Sequence, residues 1–349
     1  MATTNYLPDR ILLRNEMVNC TLNWNSTDSE AHWNKNKADI DSYYSDTNVI
    51  YTFNEMGYRT HPFDSIEKDF ILCLGCSYTE GIGVGDADTW PAKLEQLSGM
   101  QTINLGMGGC STPSIVINST QWIRSGMPKP SAVVLQIPEV TREPCASLKS
   151  QVAHNINPWN TQRGLDNNKS ISTIFMECTR PNYEPGSIVD ENYYDKWRDY
   201  RDRFQSEVIN PVAFRKEPEI TPWFMTSMQM NTLQTMWNAV GVPVLQMTYD
   251  DDGDTIYNPN NVFRITGEYT VDLARDLCHN GHRTNHLIAK NIWPEIQELL
   301  EQPLSGEYPV RQRRDIRRLP FDRTHCTMGM AMAKIEQMDH KKGGPFIYE

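Results

Sequence analysis

Three short stretches carry residue types that could do covalent chemistry. The first is Gly75-Cys76-Ser77, where the apolar run "DFILCLG" (69–75) stops and a glycine-rich segment follows. A serine hydroxyl is a weak nucleophile unless a base takes its proton. The second is Asp276-Leu277-Cys278-His279. In a turn, that spacing lets the carboxylate accept the Nδ1 proton of the imidazole and leaves Nε2 free to take a proton from a serine. The carboxylate would fix the tautomer and steady the imidazolium formed in the reaction. The third is Gly106 in "NLGMGG" (104–109). The backbone N–H groups of Ser77 and Gly106 could point into one hollow and bind an oxyanion, and a glycine there would not crowd a substrate. Gly and Ser are also ordinary turn formers, so the surrounding elements must decide between the two readings.

Those elements read as an α/β pattern. "DFILCLG" is a short strand of the fully buried type. "DTWPAKLEQLSG" (88–99) reads as a helix with Asp88 or Thr89 at its start and Gly99 past its end. "MQTINLG" (100–106) is a second strand. "STPSIVINSTQWIRSG" (111–126) is a second helix, with Ser111 or Thr112 as cap, Pro113 in its first turn and Gly126 closing it. "SAVVLQIP" (131–138) is a third strand. This spacing predicts parallel pairing with right-handed crossovers. The rhythm breaks over 143–220, a polar insertion with one amphipathic helix expected at 191–208. It resumes with a Met-rich helix (222–241), a fourth strand, "VPVLQMTYD" (242–250), and a closing helix (282–302). The three chemical stretches then fall beyond the carboxyl ends of the strands, where open parallel sheets bind ligands. The chain divides into an irregular N-terminal arm or small added layer (1–65), an α/β domain (66–302) and a C-terminal extension (303–349) carrying the basic run "RQRRDIRR".

On these residues the chain resembles the SGNH hydrolases, the GDSL-type esterases and lipases. Gly75-Cys76-Ser77-Tyr78-Thr79-Glu80-Gly81 corresponds to the family's first block, with Cys76 in place of the usual Asp. Gly106 corresponds to the second block and Asp276-x-x-His279 to the last. The lead-in "YTFNEMGYR" (51–59) is similar to that of some members, without assigning Arg59 a role. The resemblance implies a flavodoxin-like, five-stranded doubly wound parallel sheet. It implies Ser77 as nucleophile, His279 as base, Asp276 as its orienting partner, and Ser77 and Gly106 as oxyanion donors. A Gly-x-Asn-Asp block is expected after the third strand, but the chain reads Ile137-Pro138-Glu139-Val140-Thr141-Arg142. Thr141 or Arg142 would have to replace the missing Asn donor, whose loss costs about 10²–10³ in turnover. By the same resemblance the substrate is an ester, with carbohydrate O-acetyl esters leading, and neither a metal nor an organic cofactor is implied.

Other readings compete. His279, His282 and His286 form H-x-x-H-x-x-x-H beside Asp276, a metal-like spacing. Arg283, Thr284 and Asn285 fill the interval where a zinc site of this kind usually carries Glu, so polar helix-start residues are expected instead. A structural subunit of an assembly, such as a virus particle, would suit the long arm, the insertion and the tail, which could contact a protein partner or a second copy. The net charge of −11 argues against nucleic acid as the main partner. No 18-residue apolar run or signal-peptide core occurs, so the expectation is a cytoplasmic chain that does not cross a membrane. The eight scattered cysteines are read as mostly reduced thiols, with Cys73 buried and inert.

Overall fold

The structure, a computed structural model, describes residues 17–138, 143–147, 152–156, 220–248, 262–264 and 270–301. The amphipathic helix expected at 191–208, the extension 303–349, and Thr141 and Arg142 lie outside the described residues.

The centre is a five-stranded sheet with every pair parallel. The elements in chain order begin with β1 (Thr21–Leu22), α1 (Glu30–Asn36) and β2 (Tyr51–Thr52). Then come β3 (Phe70–Gly75), α2 (Ser77–Glu80), α3 (Trp90–Ser98), β4 (Gln101–Gly106), α4 (Thr112–Arg124) and β5 (Ala132–Gln136). They continue with β6 (Glu143–Ser147), β7 (Val152–Ile156), α5 (Ile220–Ala239), β8 (Val244–Thr248), β9 (Val262–Arg264) and α6 (His282–Glu301). The sheet order is β4-β3-β5-β8-β9. Counted within the sheet this is 2-1-3-4-5, the flavodoxin-like order. The chain leaves β3 to one side for β4 and returns to the other side for β5. The switch point therefore lies at the carboxyl end of β3, immediately before Ser77.

Alternation along β3 builds two cores, because successive side chains point to opposite faces. Phe70, Leu72 and Leu74 pack with Trp122 of α4 and with Leu233 and Trp237 of α5. Ile71 and Cys73 pack with Trp90 and Leu94 of α3 and with Ile288, Ile292 and Ile296 of α6. Helices thus cover both faces, and all six residues of β3 are buried. Local signals set most boundaries. Thr89 caps α3 by accepting from Ala92 N at 3.2 Å. Gly99 closes it in the left-handed conformation, φ +70°. The fifth strand, β9, was not placed residue by residue from the sequence, and within the insertion β6 and β7 form an antiparallel hairpin.

Little of the described N-terminal region, residues 17–65, is helix or strand, yet it builds a third core together with the α/β domain. Cys20, Leu22, Tyr44, Val49, Tyr51 and Phe53 pack on Ile82, Val84 and Ala274, next to the chemical loops. Among the described residues no helix is long and apolar enough to cross a membrane.

Candidate active site

Ser77 is the first residue of α2, a single helical turn set on the end of β3. Cys76 is extended, and its carbonyl accepts from the N–H groups of Thr79 and Glu80, both at 2.9 Å. The turn is held from β5 by Gln136. Its Oε1 accepts from Cys76 N at 2.9 Å and from Thr79 Oγ1 at 3.1 Å. A Cβ on Gly75 would lie 2.2 Å from Thr79 Oγ1 and 2.6 Å from Gln136 Oε1, so this approach requires glycine. Gly81, at φ +84°, ends the turn. Arg59 then collects the carbonyls that the turn and the glycine-rich segment leave over. Its guanidinium donates to Glu80 O (3.2 Å), Gly81 O (2.5 Å), Val84 O (2.6 Å) and Ile50 O (2.9 Å), which accounts for a buried arginine in the lead-in.

The structure brings Ser77, His279 and Asp276 together. Ser77 Oγ lies 2.8 Å from His279 Nε2, and His279 Nδ1 lies 2.6 Å from Asp276 Oδ2. Between Asp276 and His279 the chain turns through Leu277 at φ +55°, an uncommon conformation for a branched side chain. The turn is closed by Leu277 N donating to Ala274 O at 2.9 Å. Asp276 Oδ1 accepts from Cys278 N and His279 N, each at 3.0 Å, so the carboxylate stabilises the turn that carries its own partner. Burial would push the Asp276 carboxyl up. The neighbouring His279 and the hydrogen bonds from His279 and Thr27 outweigh it and hold the group well below the usual carboxylate range. Ser77 and His279 keep only 6% and 7% exposure, and the Tyr78 ring lies 4.8 Å from the imidazole. This constellation can activate a serine hydroxyl for attack on an electrophilic carbon.

Gly106 requires a correction. Its N–H donates to Asn104 Oδ1 at 2.9 Å and so does not face an open hollow. Its lack of a side chain serves packing: a Cβ would lie 2.3 Å from Glu80 N and 2.6 Å from Thr79 C. In the loop beyond it, Gly108 N donates to Glu80 Oε2. The N–H groups of Ser77 and of exposed Gly109 have no hydrogen-bond partner among the described residues.

The histidine series does not gather round one point. His282 begins α6, stacks on Tyr43 at 3.7 Å between ring centroids and faces Asp272 at 3.2 Å. Asp276, Cys278 and His279 offer ligand atoms within 4.8 Å of one another. The carboxylate there is already engaged by four protein donors. Cys73 and Cys76 are free and buried, and burial pushes the Cys73 thiol well up, in keeping with an inert thiol.

Several residues at the site carry no signal in the sequence. Thr27 Oγ1 donates to Asp276 Oδ2 at 2.5 Å. Asp28 accepts from Arg275 Nε at 2.8 Å and Nη2 at 2.7 Å, beneath the Trp24 ring, 3.8 Å from the guanidinium carbon. Glu80, fully buried, accepts from Asn25 Nδ2 at 2.9 Å. An arginine directly before the Asp276 turn was the one available hint, and it names no partner.

No protein-family model matches the chain, and no curated protein matches it. Among solved structures, one from Desulfitobacterium hafniense DCB-2, described as a candidate lipolytic protein of the G-D-S-L family, aligns with 64% of this chain and 98% of its own. The identity is 10% and the TM-score 0.32. A likeness this distant bears no functional weight beside the hydrogen-bonded geometry.

Proposed function

We propose that the chain is a serine ester hydrolase of the SGNH type. One observation supports the reading above all: the continuous hydrogen-bonded series Ser77 Oγ, His279 Nε2, His279 Nδ1, Asp276 Oδ2, with links of 2.8 and 2.6 Å. In this reading His279 takes the Ser77 proton as Oγ attacks the ester carbonyl, and the tetrahedral oxyanion is held by backbone N–H groups. The alcohol leaves with the proton from His279. Water, deprotonated by the same imidazole, then releases the acid from the acyl-serine. Carbohydrate O-acetyl esters are the substrate class we favour, on the family resemblance alone.

The test is hydrolysis of p-nitrophenyl acetate, with fluorophosphonate labelling in parallel. The expected outcome is activity in the wild type and loss by at least about 10³-fold in both Ser77→Ala and His279→Ala. A folded wild type that neither hydrolyses the ester nor takes the label at Ser77 rejects the reading. A panel of O-acetylated sugars tests the finer assignment: no release of acetate above that from simple alkyl acetates removes the carbohydrate preference. The low exposure of Ser77 and His279 favours a second reading, a silent SGNH-like subunit of an assembly. It predicts absence of labelling together with stable self-association in sedimentation.

A further inference from the structure

The turn Trp24–Ser29 of the N-terminal layer lies against the loop that bears Asp276. It is closed by two backbone hydrogen bonds, Asn25 N to Asp28 O at 2.9 Å and Asp28 N to Asn25 O at 3.1 Å. These leave Ser26 and Thr27 at its tip, with Ser26 at φ +58°. Five of its six residues are committed. Trp24 covers Arg275, Asn25 holds Glu80, Asp28 pairs with Arg275, and Ser29 caps α1 by accepting from His32 N at 3.1 Å. The fifth, Thr27, is aimed at the carboxylate. Its hydroxyl reaches Asp276 Oδ2, the same oxygen that accepts from His279 Nδ1.

From this the geometry points to Thr27 as a positioning residue, a fourth member of the series Thr27, Asp276, His279, Ser77, supplied by the N-terminal layer. The role rests on the hydrolase reading above. Oδ1 is held by the two backbone N–H groups of the turn, whereas Oδ2 has a single partner besides the imidazole among the described residues. Without the Thr27 hydroxyl, the carboxylate could rotate out of the imidazole plane. A hydroxyl donating to an ionised group is also a strong hydrogen bond, so its removal acts on Asp276 directly. The arrangement assigns the layer a task beyond covering the sheet: the Asp28–Arg275 pair sets the layer against the loop, and Thr27 uses that placement. The other charged or titratable groups around Asp276 are His279, Cys278, Asp28, Arg275 and His32.

The experiment compares wild type, Thr27→Val, Thr27→Ala and Thr27→Ser. It measures the rate of Ser77 labelling by a fluorophosphonate, kcat and KM on p-nitrophenyl acetate, and thermal unfolding. In each protein, carbon-13 NMR follows the titration of the Asp276 carboxyl carbon. The expected result for Thr27→Val and Thr27→Ala is labelling and kcat lowered about tenfold at unchanged KM, with Thr27→Ser within about twofold of wild type. The Asp276 midpoint should move up in the variants that lack the hydroxyl. Equal loss in Ser and Val variants, or wild-type rates in Thr27→Val, overturns the assignment. If the wild type neither labels nor hydrolyses, the hydrolase reading fails. Thr27 is then judged by the carboxyl titration alone: an unmoved Asp276 midpoint in a folded Thr27→Val or Thr27→Ala overturns its hold on Asp276, and an upward shift sustains it.

Discussion

Gly83 shows how closely the backbone approaches the carboxylate. It sits at φ +80°, donates its N–H to Tyr51 Oη at 2.7 Å, and accepts from Arg275 N at 3.0 Å. A Cβ there would lie 2.6 Å from Ala274 Cβ and 3.1 Å from Asp276 Oδ1. Gly99 has a similar conformation, φ +70°, but a Cβ on it would meet nothing within 4 Å. The two glycines therefore separate backbone strain from steric displacement. Gly99→Ala is expected to cost about 1–2 kcal/mol in urea unfolding, the strain alone, and to leave Ser77 labelling unchanged. Gly83→Ala is expected to cost clearly more and to slow labelling at least about tenfold, because the loop carrying Asp276 must shift. Equal effects of the two substitutions on labelling would contradict this account. At this scale the sequence showed which side chains could react. It did not show that the glycine-rich segment after Ser77 is a bed for Asp276, because the contact joins residues nearly two hundred positions apart.

The segment before α6 is the element that presents His279, and it is held at both ends. Ala274 N donates to His279 O at 2.9 Å and Gly281 N to Asp272 O at 3.1 Å, with a bridge between Leu273 and Asn280. Asp272 then caps α6 from outside the usual position. Its Oδ1 accepts from Thr284 N at 2.8 Å and Thr284 Oγ1 at 2.7 Å, and its Oδ2 accepts from Arg283 N at 3.0 Å. A carboxylate at a helix N-terminus satisfies otherwise orphaned donors and meets the positive end of the dipole. Asp272→Ala is expected to lower stability by about 2 kcal/mol, since it leaves the N–H groups of Arg283 and buried Thr284 without their acceptor, and Asp272→Asn by less. Chemical denaturation measures both, and a loss under about 0.5 kcal/mol for the alanine variant would reject the cap. The caps of α3 were legible because Thr89 and Gly99 adjoin that helix. The cap of α6 was not, because Asp272 lies ten residues before the helix starts and joins it only once the loop has closed.

In the whole molecule the sheet and the N-terminal layer meet at the site, and Asp276 at that junction contributes to the response to acid. The Asp276 carboxyl is held well below its ordinary range, so in the folded state it stays ionised where the unfolded chain, near about 4, has taken up a proton. Between those limits the unfolded state binds more protons, so stability rises with pH. The contribution of Asp276 is complete above the ordinary carboxylate range and is lost as pH falls through its depressed folded value. Urea unfolding between pH 6 and 3 should therefore show a shallower acid decline in Asp276→Asn than in wild type. Parallel slopes would refute it. The sequence by itself determined the elements whose signals are local: four of the five parallel strands, the helices between them, and the serine, aspartate and histidine at strand ends and turns. Apolar runs, caps and turn residues act over a few positions, so they can be read along the chain. Tertiary structure alone decided which groups serve those three residues. Gln136 reaches Cys76 across 60 positions, and Thr27 reaches Asp276 across 249. Such hydrogen bonds depend on distances set by the packed layers, and no periodicity or spacing along the chain encodes them.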